Sequence, residues 1–470
     1  MKNLKKIIYT LLILLIISTV SSCEDNLDIG PEDSLTGDVV LSNATLAEGV
    51  LIGAYARMRD DDAFNGTTQL TQEWMSDNVN FLGSFPTFQE IRDYTTLADN
   101  TSVLPFWRDA YDVISPVNFL INELPIIEVP DLLDSDKDRL IAEAKFIRAI
   151  TNFNLVNLFA QPYQLSSGAN LGIPIITDFF EGDETIFQIE RNTVNEVHAF
   201  IEQDLLEAIP NLEEVTSRGR ASKGAARALL SRLYLYRDQF AQAADFSNQV
   251  IQSSQYALAA DYTFYNQNES SEHIFQIIND AVDGQTSGQG WSGLANAAPV
   301  GRGDAPFSQN LLDAFASEPG DLRFTTLNAN GTDAVGGVST FSTKFPDGVN
   351  NADNGPILRI TEMYTIRAEA NLRAGSSVGD TPLNDINTLR TRAGLSLLVS
   401  VDLDIILNEK RKELCFEGQR RMDLLRNGMS LRRVGMPNVT ESAFGANKTV
   451  LPIPTTELDL NPNISQNPGY

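Results

Sequence analysis

The sequence predicts an all-α, mostly helical fold, in which tetratricopeptide-like helix pairs form a superhelical scaffold that carries long irregular ligand-binding loops. Apolar residues recur at steps of three and four positions in several long segments, which is the spacing of one helical face. Between residues 221 and 251, two such segments flank a short polar turn, with alanines where the two helices would touch. That arrangement is typical of a tetratricopeptide unit, which buries its apolar face only by stacking on its neighbours.

Three helices are predicted before that pair, over residues 45–58, 106–120 and 136–160. In the second of them Trp107 lies on the apolar stripe, so we expect it in the core. Residues 360–375 and 382–393 predict a second helix pair near the C-terminus. The scaffold is therefore expected to extend through both halves of the chain.

Residues 409–426 are predicted to form a charged helix of the last pair. Glu417 has Arg420 and Arg421 three and four positions later, the spacing that brings opposite charges together on one helix. A general acid and base pair would need a carboxyl group with a shifted pKa, whereas carboxylates this close to arginines are expected to form ion pairs. We interpret the segment as structural.

The start of the chain has the pattern of an export signal. Residues 1–22 carry lysines, then an apolar run at 7–17, then small and polar residues before Cys23. Residues 20–23 resemble a bacterial lipobox, which predicts lipidation of Cys23. Residues 23–37 are acidic and poor in apolar side chains, so we expect a flexible tether. The remaining chain is divided into residues 38–260 and 261–470, which are expected to pack as one globular unit.

The composition limits the classes of partner. Lys plus Arg is 35 against 62 Asp plus Glu, and the formal net charge of −27 repels nucleic acid. The same repulsion disfavours sulfated or uronate-rich glycans and thus favours neutral ones. The second of the two cysteines, Cys415, is expected to be a buried small hydrophobe, because a nucleophilic thiol needs an electropositive, accessible setting.

The sequence offers little for catalysis. The two histidines, His198 and His273, are far apart without metal-ligand spacing, and each is expected at the surface or as a polar residue of a helix. Glycine-rich phosphate loops and nucleophile elbows do not occur in the sequence. We therefore predict no catalytic residue, metal ligand or cofactor. A carboxylate pair for glycoside hydrolysis stays open, because such a pair is defined in space and not in sequence.

Two segments, residues 65–100 and 280–304, mix aromatic residues with Gly, Pro, Asp and Asn and are expected to be irregular loops. Long loops are often functional. Sugars stack their C–H faces on aromatic rings, while polar side chains bind the hydroxyl groups. The candidate glycan-binding residues on these loops are Trp74, Asp77, Asn78, Phe85, Tyr94, Trp291 and Arg302.

Several segments together resemble the SusD/RagB family of surface glycan-binding lipoproteins. They are the lipobox, the helix at 106–120, residues 321–323 and 357–370, the charged stretch at 409–426, and the terminus at 451–470. The resemblance covers essentially all of the chain after the signal peptide.

The resemblance implies a function as well as a fold. Members of this family are anchored by lipid at the outer surface of the outer membrane, and Glu24 and Asp25 are similar to the acidic export signal of such proteins. The implied partner is a SusC-like, TonB-dependent transporter, over which the protein acts as a lid that delivers captured oligosaccharide without catalysing a reaction. Two alternatives stay open: a peptide-binding uptake lipoprotein of the same family, and a lipid-anchored glycoside hydrolase.

Overall fold

A computed structural model describes residues 40–179 and 184–470. The predicted signal peptide, Cys23 and the whole of the predicted tether lie outside the described residues. No helix within the described ranges combines the length and the apolar character that a membrane span requires.

Helices dominate the described chain, as the sequence predicts. In chain order they are α1 (Ala44–Met58), α2 (Thr67–Met75), α3 (Pro86–Arg92), α4 (Val103–Glu123), α5 (Asp134–Phe159), α6 (Val194–Ala208), α7 (Lys223–Tyr236), α8 (Phe240–Gln252), α9 (Gly290–Ala295), α10 (Gln309–Ala316), α11 (Leu322–Thr326), α12 (Ile360–Ala374), α13 (Pro382–Arg392), α14 (Leu403–Leu414), α15 (Arg420–Arg426) and α16 (Thr455–Leu460).

The helix pair predicted between residues 221 and 251 is confirmed as α7 and α8. Ser222 caps α7 by accepting a hydrogen bond from the backbone N–H of Ala225 at 3.1 Å, and Asp238 turns the chain with a positive φ of 56°. The Ser231 hydroxyl donates to the carbonyl of Ala243 at 3.1 Å, so small side chains let the two helices approach closely.

The second predicted pair is also confirmed. Helix α12 ends where Gly375 adopts a left-handed conformation, with φ of 62°, and α13 begins with Thr381 as its cap and Pro382 in its first turn. Helix α12 packs against both α8 and α13, which joins the two pairs into one scaffold.

Two small antiparallel sheets accompany the helices and were not predicted. Strand β1 (His273–Ile277) pairs with β4 (Gly355–Arg359), and β2 (Asn328–Thr332) forms a hairpin with β3 (Val338–Ser342). Strand β4 leads directly into α12. The first sheet therefore ties the middle of the chain to the C-terminal helix pair.

One continuous core runs from Leu41 to Ile464 and includes Trp107, whose predicted burial is confirmed. Cys415 is buried as expected, and burial raises the pKa of its thiol to about 11. The expectation for the histidines is wrong for His273, which is buried on strand β1, whereas His198 is a residue of helix α6, as one of the two expectations had it, and is also buried. Burial lowers the pKa of His198 to about 3, so its imidazole is neutral at physiological pH.

The charged stretch at 409–426 is not one helix. Helix α14 ends at Leu414, the chain turns through positive φ values of 68° at Phe416 and 78° at Gly418, and α15 begins at Arg420. A Cβ atom on Gly418 would lie 2.8 Å from the Cα atom of Gln69, so the turn packs closely against α2. The predicted pairing of Glu417 with Arg420 and Arg421 is therefore wrong.

Glu417 instead pairs with distant cations in the core. Its carboxylate accepts from Lys344 Nζ at 2.7 Å and from Arg359 Nε at 2.8 Å. Burial alone would raise the pKa of Glu417, but Arg359 and Lys344 together lower it to about 2. We use the name buried charge network for the ion-paired residues around Glu417, which are Glu272, Lys344, Arg359, Arg392, Glu413 and Glu417.

Candidate functional site

The two segments predicted as functional loops meet in the structure, although neither is irregular throughout, since the second contains α9. Residues 65–100 contain α2 and α3, and the chain between these helices pairs with residues 304–308. The N–H of Leu82 donates to the carbonyl of Asp304 at 2.7 Å, and that of Ser308 donates to the carbonyl of Asn78 at 2.9 Å. This pairing places the start of α3 beside the loop at 297–303.

Phe85 and Arg302 form an exposed contact at that junction. The guanidinium carbon of Arg302 lies 4.0 Å from the centroid of the Phe85 ring, within range of a cation–π interaction. Phe85 is 41% exposed, and the Arg302 side chain is 22% exposed. We call this contact the Phe85–Arg302 edge.

Asp304 holds the guanidinium in place. Its Oδ2 atom accepts from Arg302 Nε at 2.6 Å, and its side chain is only 3% exposed. Burial raises the pKa of Asp304, while the charge of Arg302 and its hydrogen bond act in the opposite direction. Among the described residues, Nε is the one guanidinium nitrogen of Arg302 with a hydrogen-bond acceptor, which leaves the terminal amino groups available.

The edge therefore combines an apolar ring face with hydrogen-bond donors in a plane. A sugar ring offers complementary groups, namely C–H faces and hydroxyl oxygens. Sequence reasoning identified Phe85 and Arg302 but missed Asp304. Gly303 turns the chain between Arg302 and Asp304 with a positive φ of 72°, so no alternation along an extended segment marks Asp304 as the partner of Arg302.

Trp74 and Tyr94 do not reach the surface. Trp74 is fully buried on α2, with its ring centroid 4.6 Å from that of Phe81 and 5.2 Å from that of Phe88. Tyr94 is 2% exposed and donates its hydroxyl hydrogen to the carbonyl of Met75. The expectation that these rings stand on exposed loops is wrong, and of the two only Trp74 is connected to the edge, through Phe88, whose ring centroid lies 6.0 Å from that of Phe85.

Asp77 and Asn78 connect the same segment to the C-terminal helices. Asp77 accepts from Arg420 Nε at 2.7 Å and from Arg433 Nε at 2.6 Å, and Asn78 accepts from Arg411 Nε at 2.7 Å. Burial alone would raise the pKa of Asp77, but the surrounding arginines hold it well below its ordinary value. Both side chains are fully buried, so neither has surface to offer a ligand.

Trp291 is fully buried as well, contrary to the expected exposed loop. It lies on α9 and stacks on Phe345 with 4.6 Å between ring centroids, while Gly355 is so close that a Cβ atom there would lie 2.4 Å from Nε1 of Trp291. Of the seven candidate residues, Phe85 and Arg302 thus keep exposed surface in direct contact, and the prediction of a binding site rests on them.

A crevice elsewhere in the molecule was not foreseen. Its volume is about 60 Å³, and its lining includes Gln69, Gln72, Asn157 and Tyr236. That volume holds about four waters, which is too little for a sugar ring. The crevice is therefore not assigned as the glycan site.

Comparison with known sequences gives consistent matches. The model of the SusD family matches residues 338–470, and a model described as starch-binding and associating with the outer membrane matches residues 25–235. The starch-binding protein SusD of Bacteroides thetaiotaomicron is 27% identical over 100% of this chain and 99% of that protein. A SusD-like protein of Formosa agariphila is 29% identical over 99% of this chain and 100% of that protein.

Solved structures give the same picture. A SusD superfamily protein of Bacteroides thetaiotaomicron is similar with a TM-score of 0.82 at 27% identity, covering 91% of this chain and 100% of that one. A laminarin-binding SusD-like protein is similar with a TM-score of 0.73 at 26% identity, again covering 91% and 100%. The tetratricopeptide-like helical fold predicted from the sequence is confirmed.

Proposed function

Because this chain belongs to the SusD family, we propose that it is a surface-exposed, outer-membrane lipoprotein that captures oligosaccharides or polysaccharides. Relatives described as binding starch and laminarin support a glycan as the ligand class. The observation that carries the proposal for this chain is the Phe85–Arg302 edge, with a ring face and donors on one exposed junction.

The electrostatics of the edge favour a neutral glycan. Arg302 is the cation of this site, and its charge is balanced by Asp304 at 2.6 Å. An anionic sugar would meet a paired guanidinium on a protein whose net charge is −27. The hydroxyl groups of a sugar can accept hydrogen bonds from the terminal amino groups of Arg302, which Asp304 does not engage. Uncharged sugars are therefore the better match.

The proposal includes delivery to a transporter. The glycan-loaded protein, tethered through lipidated Cys23, acts as a lid on a SusC-like, TonB-dependent transporter and passes the ligand inward. Co-purification from outer membranes with a tag on this chain tests the partnership. A transporter barrel recovered in constant proportion is the expected result, and its absence under mild detergent would contradict the partnership without touching the glycan site.

Isothermal titration with a panel of neutral oligosaccharides tests the binding function. We expect the wild-type protein to bind at least one neutral glycan, and Arg302→Ala to bind it at least roughly ten-fold more weakly, since charge-assisted or bidentate hydrogen bonds are lost. Val399→Ser, an exposed change on the segment before α14, is the control and should bind like the wild type.

Two alternatives are decided by the same preparation. A peptide-binding uptake protein would bind peptides from a matched panel and no glycan. A lipid-anchored glycoside hydrolase would release reducing ends from a bound glycan over time, whereas the proposed binding protein leaves the glycan intact. Either outcome would overturn the proposal.

A further inference from the structure

The crevice between α2, α5 and α7 is lined by polar side chains that have no hydrogen-bond partner within the described chain. Gln72 on α2, Asn157 on α5 and Tyr236 on α7 converge on it, and they are 5%, 8% and 4% exposed. Among residues 40–179 and 184–470, no group bonds to the side-chain amide of Gln72 or Asn157 or to the hydroxyl of Tyr236. Buried polar groups are normally hydrogen-bonded, so these three side chains require a partner that enters the crevice.

The charged side chains at the crevice are already compensated. Arg232 donates from Nε and Nη2 to the two carboxylate oxygens of Glu362, each at 2.6 Å. Glu417 is paired with Lys344 and Arg359. Among the described side chains that line the crevice, a charged ligand would meet no unpaired opposite charge. Since burying an unpaired charge is costly, the crevice favours an uncharged group.

The remaining walls of the crevice include apolar side chains, namely Ile150 and Phe153 on α5 and Met422 on α15, all of them buried. Asn154 and Gly418 are half-buried, whereas the other lining residues are buried, which places the opening beside these two. The crevice therefore fits a compact group that enters from outside and combines polar atoms with a small apolar part.

We propose, resting on the glycan-binding function above, that the crevice takes the acetamido group of an N-acetylated sugar while the sugar ring stays at the opening. The nitrogen, the oxygen and the two carbons of that group match a space that holds about four waters. Its N–H and C=O complement the amides of Gln72 and Asn157 and the hydroxyl of Tyr236, which supply both donors and acceptors. Its methyl group leaves water for the apolar wall at Phe153 and Met422.

This subsite is separate from the Phe85–Arg302 edge, because neither Phe85 nor Arg302 lines the crevice. The edge provides for neutral sugars in general, through a ring face and planar donors. The crevice adds a preference for one substituent. The two sites can therefore be tested independently.

A matched pair of disaccharides tests the preference. N,N′-diacetylchitobiose and cellobiose share one backbone and differ in one substituent of each ring, which is acetamido in the first and hydroxyl in the second. We expect the wild-type protein to bind N,N′-diacetylchitobiose at least about ten-fold more tightly in isothermal titration, because hydrogen bonds and the methyl contact are gained. In saturation-transfer NMR, the acetamido methyl group should give the strongest signal.

Gln72→Leu and Tyr236→Phe remove polar groups from the crevice and keep most of the side-chain volume. Each should weaken the binding of N,N′-diacetylchitobiose by roughly three-fold or more and leave that of cellobiose unchanged. Thermal melting should not fall, since neither polar group bonds to the described protein. Tyr364→Phe is the matched control, because this hydroxyl on α12 also has no hydrogen-bond partner among the described residues and lies outside the crevice lining. It should bind both disaccharides like the wild type.

Three outcomes would count against the assignment. Equal affinity of the wild type for the two disaccharides, without a signal from the acetamido methyl group, would mean that the crevice holds water only and would leave the proposed function intact. A preference for N,N′-diacetylchitobiose that survives in both variants would place the acetamido group elsewhere. Binding of no glycan at all, in the neutral panel as well, would contradict the proposed function itself.

Discussion

The buried charge network and the Phe85–Arg302 edge use the same guanidinium–carboxylate chemistry to opposite effect. In the network, all three side-chain nitrogens of Arg359 donate hydrogen bonds, to Glu272, Glu417 and the carbonyl of Glu413. The Arg359 side chain is 1% exposed. At the edge, Arg302 has one engaged nitrogen and is 22% exposed.

This contrast separates residues that hold the fold from residues that are available to a ligand. A buried arginine with every side-chain nitrogen engaged is not accessible to a ligand, and removing one partner leaves an uncompensated charge in the core. An arginine with one donor engaged is held in position while its other donors face outward. Charge density alone therefore does not mark a binding site.

Glu417→Ala gives the largest expected effect on the network side of the comparison. The change leaves the buried cations Lys344 and Arg359 without this partner, and the free energy of unfolding should fall by about 3–5 kcal/mol. Urea denaturation measures it. Glu214→Ala, which breaks an exposed pair with Lys223, is the control and should change stability by less than about 1 kcal/mol. Equal losses in both variants would contradict the distinction.

Trp291→Ala tests the reassignment of a candidate ligand contact to the core. Deleting this fully buried indole should lower the free energy of unfolding by about 3–5 kcal/mol, because it leaves a cavity against Phe345. Glycan affinity of the folded fraction should stay within about two-fold of the wild type at a temperature well below melting. A stable Trp291→Ala variant that does not bind the glycan would show that Trp291 belongs to the binding site.

Acid should weaken the network selectively. The pKa of Glu417 is about 2 in the folded protein, below its ordinary value of 4.5, so the ionised form stabilises the fold above pH 4.5. That contribution is lost as the pH falls from about 4.5 towards 2. Glu417→Gln should therefore be less stable than the wild type at pH 7, and the gap should narrow on acidification. A gap that is constant between pH 7 and 3 in chemical denaturation would contradict this account.

Arg302→Lys should have the smallest effect on stability and a clear one on binding. A lysine keeps the charge beside Asp304 but removes the planar set of donors, so we expect roughly ten-fold weaker glycan binding. The melting temperature should shift by no more than about 2 °C, since the side chain is partly exposed. If Arg302→Lys binds the glycan with the affinity of the wild type, a positive charge alone is sufficient for binding at this position.

Local periodicity made most of the helical scaffold predictable. The pairs α7–α8 and α12–α13 follow from apolar spacings of three and four residues, and the structure adds the ends at Gly375 and Thr381. The partners of Glu417 did not follow, because Lys344 and Arg359 lie 73 and 58 positions away and no local pattern marks them. The i+3 and i+4 arginines were nearer in sequence, but the turn at Gly418 separates them from Glu417.

The candidate site was predictable in part for the same reason. Aromatic and polar residues in Gly-rich segments placed Phe85 and Arg302 among the candidates without relating the two to each other, and composition does not distinguish an exposed ring from a buried one. Trp74 is buried by Phe81 and Phe88, seven and more positions away along a chain that folds back between α2 and α3. Only the tertiary fold decides that Phe85 packs at the edge of this cluster, 6.0 Å from Phe88 between ring centroids, and stays 41% exposed.

The most direct test compares Phe85→Ala with Phe88→Ala by titration against the best neutral glycan, with thermal melting alongside. Phe88 is 6% exposed and packs on Trp74, whereas Phe85 is 41% exposed over Arg302. We predict that Phe85→Ala loses roughly ten-fold or more in affinity with unchanged melting, and that Phe88→Ala melts earlier but keeps its affinity. Full affinity in Phe85→Ala would contradict the assignment of the glycan site to this edge.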